Sequence, residues 1–69
     1  MKKAIRWMNK YSGETGYVAG IDSKERHFVN TPDVQEARTF TNAGLAAVGV
    51  KQLTAYGEAE NNVFEIVDV

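Results

Sequence analysis

Sixty-nine residues with a formal charge of −1, 43% apolar side chains and no cysteine describe one small domain, residues 1–69. The missing cysteine excludes a disulfide framework, a thiolate metal site and a thiol nucleophile. A domain of this size buries only about 60% of its unfolded-chain surface, so modest stability that self-association would raise is expected.

Residues 2–11 alternate. Lys3, Ile5, Trp7, Asn9 and Tyr11 share one parity and Lys2, Ala4, Arg6, Met8 and Lys10 the other, the pattern of a half-buried strand. No continuous apolar run follows the basic start, so neither a signal peptide nor an anchor is expected, and the chain reads as a soluble cytoplasmic protein. Ser12-Gly13-Glu14-Thr15-Gly16 is a turn, and Tyr17-Val18-Ala19-Gly20-Ile21 resumes an extended pattern, completing a hairpin. Asp22-Ser23-Lys24-Glu25 breaks it, and Arg26-His27-Phe28-Val29 is a short third strand or the far end of a bent hairpin. Asn30-Thr31-Pro32-Asp33 signals a helix start by its capping residue, its proline and its acid. Only about one turn fits before the β-like Arg38-Thr39-Phe40.

Thr41 to Gly57 is the one long helical segment. At 100° per residue, Leu45, Gly49, Leu53 and Tyr56 form an apolar stripe flanked by Ala46, Val48 and Val50, as in a helix with one buried face. Thr41 or Asn42 caps its start and Gly57 its end. Gly44 and Gly49 each cost roughly 1 kcal/mol of helix propensity against alanine. The expected compensation is a close approach of the helix backbone to a large side chain beneath, such as Trp7. After the polar Glu58–Asn62 loop, Val63-Phe64-Glu65-Ile66-Val67 is a closing strand.

The fold class implied is α+β: a small antiparallel sheet of three to five strands with one main helix, about residues 42–56, packed on one face. The expected core is Ile5, Trp7, Leu45, Leu53, Phe64 and Ile66. The opposite sheet face is left open and is expected to carry Met8, Val18, Val63 and Val67. Residues 1–30 hold six Lys/Arg against three Asp/Glu, and residues 31–69 hold two against six. That polarity is read as a basic N-terminal strand pairing with an acidic C-terminal one.

The run Asp33-Val34-Gln35-Glu36-Ala37-Arg38-Thr39-Phe40-Thr41-Asn42 lies downstream of a Tyr-Val hairpin and upstream of a Phe-Glu-Ile-Val strand. Over most of its length this layout resembles small phage- and prophage-encoded α+β proteins of unknown function. The resemblance implies a phage or bacterial setting and no activity.

Candidate chemistry is sparse. The single histidine, His27, has Glu25 nearby, and Ser12 and Ser23 are turn residues; no catalytic residue is expected, since a general base needs an orienting or activated partner. Neither Glu58 with Glu60 nor Asp22 with Glu25 forms a calcium-loop pattern, so no metal and no cofactor are expected. Gly13, Gly16 and Gly20 lack the Lys-Ser/Thr ending of a phosphate loop. Basic residues interleaved with aromatics on an open sheet can bind nucleic acid, but a pI near 5.7 is far from the strongly basic profile of such domains. An apolar patch on an open face marks an interface. The function expected is therefore a non-enzymatic protein–protein interaction module, a phage-type adaptor or inhibitor of a bacterial protein and a homodimer. The alternative is a nucleic-acid-binding domain using the basic N-terminal strand. The candidate binding residues are Arg6, Met8, Lys10, Tyr17 and His27.

Overall fold

A computed structural model describes residues 1–69. Strands β1 (Lys3–Asn9), β2 (Thr15–Asp22) and β3 (His27–Thr31) are followed by a 3-10 turn at Val34–Glu36. Helix α1 (Ala43–Ala55), a second 3-10 turn at Glu58–Glu60 and strand β4 (Asn62–Asp68) complete the chain. The four strands form one antiparallel sheet in the order β3-β2-β1-β4. This is the α+β layout that the hydrophobic periodicities imply.

The first and last strands are neighbours. β1 and β4 pair without interruption from Lys3↔Asp68 to Asn9↔Asn62. The register sets Ile5 beside Ile66 and Trp7 beside Phe64 on the helix side. Lys3 forms an ion pair with Asp68, and Arg6 stands opposite Glu65, so the charge polarity of the chain is spent partly within its own sheet.

β2 is the bent strand. It pairs with β1 only through Thr15–Tyr17, and a bulge between Val18 and Gly20 leaves Ala19 as the extra residue opposite β3. A bulge reverses the side-chain alternation beyond it and sharpens the local twist. Val18 and Ile21, of opposite parity, consequently both reach the core. Val18 is fully buried and does not lie on the open face: it shares the parity of Gly16, which the register sets opposite Trp7 on the helix side, and its carbonyl is covered by the segment that follows the 3-10 turn. That segment fills the gap where β2 leaves β1. Arg38 N–H donates to the Val18 carbonyl at 2.9 Å, and Lys3 and Phe40 exchange two backbone hydrogen bonds of 2.8 Å. The outer half of the β2–β3 hairpin curls over the helix side, bringing Phe28 to 6.0 Å from Trp7 and 5.6 Å from Phe64 between ring centroids. Arg26 secures the tip, with its guanidinium 5.3 Å from the centre of the Tyr56 ring.

The N-cap of α1 is Asn42, whose Oδ1 accepts from the Leu45 N–H at 2.9 Å. After Tyr56, Gly57 takes the left-handed conformation at φ 89°, which costs glycine little. The short turn before the helix is capped by Asp33, whose side chain accepts from the Gln35 N–H, so the cap lies after Pro32 and not before it.

Ile5, Val18, Ala46 and Leu53 are fully buried and form the centre of the core. Burying a side chain such as Ile5 or Leu53 stabilises by about 1.5–3 kcal/mol. Trp7, Phe64 and Ile66 pack against this centre, but Leu45 is 49% exposed. The buried stripe of α1 runs through Ala46, Gly49 and Leu53, because the first turn of the helix overhangs a groove beside residues 38–41, which Leu45 lines. Gly49 does allow a close approach. A Cβ there would meet Ile5 Cδ1 at 3.2 Å and Ile21 Cδ1 and Phe40 Cζ at 3.4 Å. Trp7 lies elsewhere, over Gly16, where a Cβ would meet the indole at 2.9–3.0 Å. Gly44 faces no side chain of the sheet, only the Oδ1 of its own cap residue Asn42.

Candidate functional site

α1 covers one face of the sheet, and the reverse face of β1 and β4 has no helix over it. Alternation along the strands puts Ala4, Arg6 and Met8 of β1 on this face. The register then adds Val63, Glu65 and Val67 of β4, and Thr15 and Tyr17 of β2. Three cross-strand rows result. Met8 stands between Val63 and Thr15, Arg6 between Glu65 and Tyr17, and Ala4 beside Val67. Ala4 is fully buried, whereas Met8 is 43% and Val63 46% exposed. Arg6, Met8, Val63 and Glu65 rim a shallow depression over the backbone of Trp7.

The surface is therefore an apolar pair beside a row carrying one charge of each sign. Such a face suits contact with a protein surface, which needs desolvated apolar area at its centre and matched charges around it. Methionine adds adaptability, because its unbranched thioether reshapes itself to irregular partners.

Of the five residues singled out from the sequence, Arg6, Met8 and Tyr17 meet on this face. Lys10 lies just beyond the end of β1, where its Nζ donates to the Ala59 carbonyl at 2.8 Å. His27 is at the far tip of the β2–β3 hairpin, opposite Asp22, with Nδ1 3.2 Å from the Phe28 carbonyl oxygen. The Asp22 carboxylate builds the turn instead, accepting from the Lys24 and Glu25 N–H groups at 3.0 and 3.1 Å. The structure thus brings three of the five together and leaves two apart.

No family model, curated protein or solved structure matches this chain.

Thr15 and Glu65 belong to the face and are not among the five; the Val63-Phe64-Glu65-Ile66-Val67 alternation was the available signal for Glu65. A second surface feature, the groove beside α1, is lined by Ile21, Arg38, Phe40, Leu45 and Val48, and Arg38 stacks 5.2 Å from the Phe40 ring centre. Basic side chains on β1 do not form a free stripe: Lys3 is paired with Asp68, Arg6 faces Glu65 and Lys10 is held by Ala59. The Trp7 indole packs inward against the core. No helix is long and apolar enough to cross a membrane.

Proposed function

We propose that this chain is a non-enzymatic protein–protein interaction module whose contact surface is the open face of β1, β2 and β4. The observation that supports this reading is the exposed Met8–Val63 pair set beside the Arg6–Glu65 row. Exposed apolar patches rimmed by polar groups mark interaction sites, methionine is enriched at interfaces, and arginine and tyrosine, here Arg6 and Tyr17, are among the anchors that carry most of the energy. The resemblance to small phage- and prophage-encoded proteins supports a phage or bacterial setting, in which such a module would serve as an adaptor or an inhibitor of a bacterial protein.

The test compares the wild-type chain with the Met8→Glu variant as immobilised baits in bacterial lysate with and without nuclease, read by mass spectrometry. Met8 is exposed and packs on no buried side chain of the core cluster, so the variant keeps its circular dichroism spectrum. One protein retained by wild type and lost by the variant supports the reading. Equal recovery on both baits, or a partner that disappears only with nuclease, refutes it.

A further inference from the structure

The free edge of β4 has a definite chemistry. Along β1, the Asn9 N–H donates to Glu14 and the Lys3 N–H to Phe40, both on the β2 side. The Lys10 N–H donates to the Asn61 carbonyl, and the Val69 N–H to the Lys2 carbonyl. Antiparallel ladders alternate strictly. The backbone groups of Val63, Glu65 and Val67 therefore turn toward β1, and those of Asn62, Phe64, Ile66 and Asp68 turn outward past the edge of the sheet.

Edge strands are ordinarily guarded by brevity, proline, lysine, bulges or a covering element. β3, the other edge, is five residues long, is followed by Pro32 and faces the bulge. β4 has seven residues, Asn-Val-Phe-Glu-Ile-Val-Asp, without lysine, proline or bulge.

The geometry points to β4 pairing antiparallel with β4 of a second copy of this chain, about a two-fold axis at Glu65. Outward groups must meet outward groups, and a two-fold axis normal to the sheet keeps both helices on one side. Among the registers meeting these conditions, centring on Glu65 pairs every residue of the strand. It sets Phe64 against the partner's Ile66 on the helix side and Val63 against the partner's Val67 on the open side. These are the aromatic and β-branched pairings that stabilise sheets. Moving the axis to Phe64 puts Asn62 against the partner's Ile66, and moving it to Ile66 puts Phe64 against the partner's Asp68. The chosen register does place Glu65 opposite its own symmetry mate, an unfavourable pair in isolation. Each of the two is flanked by its own Arg6 across β1, and the four charges in that row sum to zero.

The result is an eight-stranded sheet in which two open faces become one. The row Thr15, Met8 and Val63 continues into the partner's Val67 and the partner's Ala4. Use of that joined surface rests on the function proposed above, but the pairing itself does not.

Sedimentation equilibrium over a concentration series, combined with amide hydrogen exchange, tests it. The expected results are a mass rising toward twice the 7.6 kDa of the chain and a concentration-dependent slowing of the Phe64, Ile66 and Asp68 amides, about tenfold or more where paired strands dominate. A synthetic chain carrying an N-methyl group on the Ile66 amide keeps its fold, since that N–H faces away from β1, and stays monomeric. A chain that is monomeric at every concentration overturns the proposal. So does a dimer whose Phe64 and Ile66 amides exchange as freely as in the monomer, or an N-methyl chain that dimerises like the unmodified one. Met8→Glu separates the two ideas: it lies off the β4 edge, so it leaves the dimer intact even where it removes a foreign partner.

Discussion

Gly16→Ala is the most informative single substitution for the packing of this domain. The new methyl would meet Trp7 Nε1 at 2.9 Å and Cε2 and Cζ2 at 3.0 Å, against an optimal carbon–carbon separation of about 3.5–4.0 Å. The indole must therefore retreat by about half an ångström or more, and it is a rigid bicycle with Phe28 beside it and Phe64 behind Phe28. Overpacking of this kind costs about 1–3 kcal/mol. The reduced entropy of the unfolded alanine chain offsets about 0.4–1 kcal/mol of it. A net loss of about 1–2 kcal/mol remains, a large share of the ~3–10 kcal/mol typical of a chain this long. Urea unfolding followed through the single tryptophan should show a lower midpoint at unchanged slope. Combining Gly16→Ala with Trp7→Phe, followed by circular dichroism, should cost less than the sum of the two, because phenylalanine lacks the atoms that clash. A Gly16→Ala midpoint at or above wild type would refute the close packing of Trp7 on this glycine.

Three further substitutions separate capping, helix packing and surface charge. Asn42→Ala removes the acceptor for the Leu45 N–H and should destabilise by about 1 kcal/mol in thermal or urea melts. Gly49→Ala gains roughly 1 kcal/mol of helix propensity while pressing on the movable tips of Ile5, Ile21 and Phe40. Its melting point should stay near wild type, and a large loss would show that those tips cannot yield. Asp68→Asn breaks the ion pair with Lys3, whose aspartate side chain is 53% exposed. Stability should fall by no more than about 1 kcal/mol, with the difference shrinking as salt is added.

Much of the architecture was legible in the chain because it depends on local periodicity. Ile5 and Trp7 alternate with polar neighbours, Asn42 and Gly57 bracket the helix, and the β-branched run at Val63–Val67 can hardly be anything but a strand. The misplacements have physical causes. Val18 reads as an open-face residue because alternation along one strand does not say which parity meets the helix; only the pairing of Gly16 with Trp7 puts Val18 on the inner side. Leu45 reads as a core residue because α1 has apolar residues on most of its circumference and a single charge, Lys51. Its sequence therefore fixes a helix without fixing its rotation. Trp7 reads as the partner of a helix glycine for a related reason: a glycine announces a close approach but not by which neighbour. The open face was readable in part. Alternation puts Arg6 and Met8 together and Glu65 with Val63 and Val67, while the pairing of Glu65 with Arg6 needs the β1–β4 register, which only the folded chain supplies. Lys10 and His27 fell outside because they lie where strands end and alternation stops.

That same register bears on how the domain assembles in time. The contacts that join Lys3 to Asp68 and Asn9 to Asn62 link opposite ends of the chain, so the entropy of closing a long loop is paid before any of them forms. The β2–β3 hairpin needs only local contacts and can form first. Until β4 arrives, the even-numbered backbone groups of β1 have no partner, and Ile5 and Trp7 lack Ile66 and Phe64 beside them. The slow step of folding should accordingly be the docking of β4, and substitutions such as Ile66→Val should slow folding more than substitutions at the hairpin tip. Agents that capture exposed strands would compete for β1 during that interval.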